Sequence, residues 1–210
     1  MTRAGRRRPG APIGFALGAI SGVLLIGLLR LAIEPPAPVV HYHANWAVVV
    51  NGQRLDRSGE RFMEDVTACK TDPTLVLPEE RVHLHNRDAS AVHVHATGVT
   101  WGHLLANLEF GVGDDYLVTH TGERLQSGAG LAVKFILNGE PVPSIRNRGI
   151  ARGDRLLISY GPEPAPEVVR TQFPLVASTA AALDRGTDPA GCGGAVPMPL
   201  GDRLRRAFRF

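Results

Sequence analysis

Six of the eight histidines fall into three His-x-His pairs, His41/His43, His83/His85 and His93/His95. Neutral imidazole is a good ligand for copper and zinc. On a β-strand, residues two apart share a face, so each pair presents both rings on one side. The stretch RVHLHNRDASAVHVH, residues 81–95, reads as a hairpin. A three-residue loop, Asp88-Ala89-Ser90, pairs Arg87 with Ala91, and hence His85 with His93 and His83 with His95. Directly opposed residues lie about 4.5–5.5 Å apart at Cβ, so four imidazoles make one patch. Val82, Leu84, Val92 and Val94 then form the other face. A four-residue loop would set Leu84 against His93 and spoil both faces, and register follows the apolar pattern.

The third pair opens HYHANWAVVVNGQRLD, a strand entering an Asn-Gly hairpin. Asn45, Ala47 and Val49 share the side of His41 and His43, whereas Tyr42, Trp46 and Val48 point the other way. If this strand packs beside or over an open histidine face, His41, His43, His83, His85, His93 and His95 converge as ligands for copper or zinc. No spacing as sharp as that of a zinc finger accompanies them. His103 sits at the edge of an apolar helical stripe, where capping is the simpler role, and His120 reads as surface. Asp114 and Asp115 are explained by turn chemistry. GVGDDY and SGAGLA are glycine turns without the strand-to-helix setting of a phosphate loop or nucleophile elbow. A metal enzyme would need a general base beside the ligands; Glu64, Asp65, Asp88 and Glu109 are present, none clearly aimed there.

The elements that must position these rings follow in order. After the hairpin comes TWGHLLANLEF, with Thr100 as N-cap, Trp101, Leu104, Leu105 and Leu108 as an apolar stripe, and Gly111 as a stop. A short DYLVTH segment, the strand LAVKFILNGEPV with a second Asn-Gly turn, and the strand DRLLISYG complete an α+β pattern. Residues 81–161 thereby resemble the β-grasp (ubiquitin-like) fold. VTWGHLLANL looks like the helix of its sulfur-carrier branch, and KFILNGEPV with IARGDRLLISYG is similar to that branch's closing strands. The resemblance implies a mixed sheet with one main helix covering the valine face, to which the residue 41–55 hairpin is an N-terminal addition. It leaves the histidines on the opposite, open face. Sulfur-carrier activity needs a free C-terminal Gly-Gly, whereas Gly161 runs on into PEPAPE, so that activity is not implied. The whole chain also resembles a group of membrane-anchored bacterial proteins with the same His-x-His pairs, which brings no activity with it.

The termini carry different signals. Arg3, Arg6, Arg7 and Arg8 precede an uncharged run from Ile13 to Leu29, and Arg30 follows. That length predicts a single uncleaved transmembrane helix, against the rival reading of a cleaved signal peptide, whose apolar region is shorter and ends in a small-x-small site. The leading arginines predict an N-terminus in the cytoplasm and a domain held outside at the cell membrane. Residues 1–33 hold five arginines and no acids, so the rest carries 18 basic against 20 acidic residues, and its charge gives no reason to expect nucleic acid. The organisation expected is a basic flank and anchor (1–33), a Pro-rich spacer (34–40), an extracytoplasmic β-rich domain (41–161), and a Pro-rich exit with an irregular tail (162–210). In an oxidising compartment Cys69 and Cys192 are expected to pair, tying the tail back. Three functions compete: an anchored metal-binding protein for sensing, buffering or delivery; a metal-dependent enzyme with an open histidine site; and a non-catalytic interaction domain whose surface histidines respond to pH.

Overall fold

The computed structural model describes residues 11–33, 40–64, 76–186 and 200–208. The chain forms two units, Val39–Gly194 and a terminal unit of Met1–Pro38 with Ala195–Phe210. In chain order, helix α1 (Ala11–Ile33) is followed by β1 (Tyr42–Val50), β2 (Gln53–Arg54), α2 (Pro78–Arg81), β3 (Val82–His83), β4 (Ala91–Val94) and α3 (Trp101–Asn107). Then come β5 (Gly111–Val112), β6 (Tyr116–Val118), β7 (Arg124–Gln126), β8 (Ala132–Leu137), β9 (Glu140–Val142) and β10 (Arg155–Gly161). Helices α4 (Ala165–Thr171), α5 (Ala180–Leu183) and α6 (Leu200–Ala207) end the list.

The main sheet runs β3-β4-β1-β10-β8-β9, with β2 paired to β1 across the Asn51-Gly52 turn. Strand β1 is not an added edge hairpin; it lies at the centre, parallel to β10 and antiparallel to β4. Its run WAVVV explains this, because a central strand is buried on both faces and reads as continuously apolar. Ala44, Trp46 and Val48 enter the larger core with Val82, Leu84, Val92, Val94 and the α3 residues Trp101, Leu104 and Leu105. Ala47 and Val49 enter a second core with Ile136, Leu157, Val168 and Val176.

That second core corrects the expected open face. Residues 162–186, including α4 and α5, lie over the histidine side of the sheet. Asn45 Nδ2 donates to Thr179 Oγ1 at 2.9 Å, the Ala180 N–H donates to Asn45 Oδ1 at 2.9 Å, and Ser159 Oγ donates to Gln172 Oε1 at 2.7 Å. Arg155 Nε donates to the Ala177 carbonyl at 2.9 Å. On the opposite face α3 begins where expected: Thr100 Oγ1 accepts from the His103 N–H, and His103 Nδ1 accepts from the Thr100 N–H. Gly102 has to be glycine, since a Cβ there would fall 2.3 Å from the Arg146 carbonyl oxygen. The helix ends at Asn107 instead of reaching Gly111, which joins β5.

In the terminal unit α1 packs against α6, and Gly27 lies close under the Phe208 ring, which a Cβ there would meet at 2.0 Å. Among the described residues no helix is long and apolar enough to cross a membrane. This overturns the single transmembrane helix over Ile13–Leu29, and with it the single-pass orientation and the cell-membrane placement. Within α1, Gly27 faces the Phe208 ring and Arg30 stands in the last turn. The expected Cys69–Cys192 disulfide falls on residues the structure does not describe. No disulfide is found among the described ones. What holds residues 162–186 to the sheet is the set of hydrogen bonds and apolar contacts above.

Candidate metal centre

The hairpin pairs His83 with His93 and Val82 with Val94, two residues out of step with the expected register. The cause lies in the turn. Asn86 and Arg87 adopt left-handed backbone, φ 57° each, and the Asp88 carboxylate accepts from the Ser90 N–H at 2.8 Å and the Ala91 N–H at 3.2 Å. This Asx turn takes up more chain than the three-residue loop would. An even slip leaves every side chain on its face, so the histidines remain opposite Val82, Leu84, Val92 and Val94. Strand β1 then sets His43 against His93, beside Tyr42 against Val94. The three pairs therefore lie side by side on β3, β4 and β1.

The rings are close-packed. His93 is the hub, with centroids 4.3 Å from His43 and 3.7 Å from His85, both nearly perpendicular. His95 stacks between His41 at 4.8 Å and His83 at 5.0 Å. His43, His83, His85 and His93 are 2–8% exposed, whereas His41 and His95 are half-buried. His41, His43 and His93 each offer a ring nitrogen within 4.8 Å of the others, a group able to hold a metal ion. At metal–nitrogen bonds of ~2.0–2.1 Å, a tetrahedral centre separates its ligand nitrogens by about 3.3 Å. The His43 Nε2 to His93 Nδ1 separation is 3.0 Å.

Hydrogen bonds define which nitrogens carry lone pairs. His43 Nδ1 lies 2.8 Å from Asp184 Oδ1, and His83 Nδ1 lies 3.2 Å from the Glu79 carbonyl oxygen. Carbonyls and carboxylates only accept, so both Nδ1 atoms carry hydrogen and both Nε2 atoms carry the lone pair. His93 Nδ1 must then donate toward His43 Nε2. The same Nδ1 lies 2.8 Å from His85 Nε2, so it has two imidazole nitrogens within hydrogen-bonding distance.

Electrostatics keep His93 and His95 neutral. Burial first, then the neighbouring His85, His43, His83 and His95, push the His93 pKa far down. Burial first, then His83 and His41, push His95 down to about 3. Burial works to raise the Asp184 carboxyl, but hydrogen bonds from His43 and Arg152 prevail and hold it below its ordinary value.

The remaining histidines are elsewhere. His103 caps α3, and His120 packs edge-on against Phe62 at 5.2 Å, half-buried and not plainly surface. Glu109 pairs with Arg61 at the surface, Asp88 serves the turn, the Glu64 N–H donates to the Leu84 carbonyl, and Asp65 lies outside the described residues. Asp115 accepts from Gln126 Nε2 in an exposed turn. Sequence reasoning missed Asp184 and Arg152, whose contacts with the cluster span 141 and 111 residues. No spacing pattern announces contacts that long; the one local hint is the Ala-rich run just before Asp184. No family model, curated protein or solved structure matches the chain.

Proposed function

We propose that the chain is a metal-binding protein holding copper or zinc at His41, His43 and His93, with His83, His85 and His95 supplying further ligands, for sensing, buffering or delivery. The observation that carries this reading is the convergence of ring nitrogens in a buried patch, with His93 Nδ1 3.0 Å from His43 Nε2 and 2.8 Å from His85 Nε2. Neutral imidazoles are costly to bury together unless their nitrogens are satisfied, and a soft or borderline cation satisfies several at once. Burial also favours this reading over a pH-responsive surface contact.

Titration of the full chain with Cu(II) and Zn(II) tests the function. Binding is expected to be tighter than to an unfolded His-rich peptide, abolished in His43→Ala/His93→Ala and unchanged in His120→Ala. Affinity no better than the peptide's would end the metal reading.

A further inference from the structure

We propose that Asp184 is the positioning residue of this centre, fixing His43 with its proton on Nδ1 and its Nε2 lone pair turned toward the ion. The inference deepens the metal-binding reading and rests on it. Asp184 Oδ1 lies 2.8 Å from His43 Nδ1 and 3.0 Å from the His43 backbone nitrogen, so one oxygen holds both the ring and the strand that carries it. The other oxygen, Oδ2, pairs with Arg152 NH1 at 2.7 Å, and Arg152 NH2 donates to the His41 carbonyl at 3.2 Å. The pair thus fastens both members of the first His-x-His motif. The Asp184 side chain is 11% exposed and that of Arg152 59%, which places the carboxylate against the imidazole and the cation toward solvent.

A carboxylate behind a ligating histidine orients the ring, selects its tautomer and raises the basicity of the ligating nitrogen. It also supplies negative charge beside the positive charge an ion brings among neutral rings. Asp184 follows α5, which is docked on Asn45 through Thr179 and Ala180. The segment after the last strand therefore belongs to the centre as well as covering it, and 141 residues of chain separate the ligand from the group that aims it.

Two readouts on the full chain test this. The first is nitrogen–proton NMR of the imidazoles without metal, and the second is Zn(II) affinity measured against a competing chromophoric chelator. The native chain is expected to show His43 as the single Nδ1–H tautomer. In Asp184→Ala that preference should be lost and zinc affinity should fall about 10–100-fold. Asp184→Asn keeps an acceptor oxygen, so it should hold the tautomer and lose less affinity. Thr179→Ala removes one side-chain contact of the segment and keeps the Ala180–Asn45 and Asp184–His43 hydrogen bonds, so it should leave both readouts as they are. An Asp184→Ala chain with the native tautomer and affinity overturns the proposal, as does a Thr179→Ala chain that loses as much zinc affinity as Asp184→Ala. If the native chain binds no zinc while its His43 tautomer still depends on Asp184, the positioning stands and the metal reading falls.

Discussion

The two faces of β3, β4 and β1 differ by one residue of offset and by everything that keeps them buried. Val82, Leu84, Val92 and Val94 on one face are fully buried, and His43, His83 and His93 on the other are nearly so. The apolar face gains free energy from leaving water, at about 25 cal/mol per Å². The imidazole face loses hydration at every nitrogen and recovers it only through partners such as Asp184 and the Glu79 carbonyl. One face is stable on its own terms. The other is conditional on protonation and on what occupies it, and a conditional face is where a function that responds to an ion belongs.

Acid should separate the two faces most. His93 and His95 have folded pKa values below their ordinary one, so the unfolded chain binds protons first as pH falls through about 6.5. Stability is then full above that value, declines below it, and levels for His95 only near 3. Between pH 7 and pH 5 each neutral histidine should cost ~2 kcal/mol, or ~4 kcal/mol for the two. Urea unfolding of the metal-free chain at the two pH values measures this. Equal stability would mean the rings are solvated in solution.

Leu84→Ala attacks the other face. Leu84 is fully buried within the larger core, so truncation should cost ~3 kcal/mol. The loss should be the same at pH 7 and pH 5, because the Leu84 side chain is packed among apolar residues. A strongly pH-dependent loss would show that the faces are coupled through the thin hairpin and not independent.

How much of this was legible in the sequence follows from the range of each signal. Side-chain parity is local, so the division of histidines from valines could be read from spacing alone and survived a two-residue error in register. The register itself depended on Asp88, whose carboxylate closes its own turn, a chemistry that hairpin counting ignores. The run WAVVV marks a doubly buried strand, yet the β-grasp resemblance drew attention to residues 81–161 and left β1 outside. The cover over the histidines was hidden because Val168, Val176 and Asp184 find their partners only after the sheet has formed. At the N-terminus, hydropathy alone suggested an anchor. It took no account of the packing of α1 against α6.

The smallest expected effect sharpens the boundary of the histidine face. Thr100 and His103 cap α3 reciprocally, the hydroxyl accepting from the His103 N–H at 3.2 Å and the ring Nδ1 accepting from the Thr100 N–H at 3.1 Å. Both partners belong to the helix on the apolar side of the sheet, so this imidazole is structural by position as well as by contact. Thr100→Ala should cost ~1 kcal/mol, the usual value of a lost N-cap. His103→Ala removes the weaker return bond from an exposed helix end and should cost less. Thermal unfolding measures both losses, and zinc titration of the same two variants should match the native chain. A drop in zinc affinity with His103→Ala would extend the centre through the sheet to α3, and the division between a stable face and a conditional one would then be wrong.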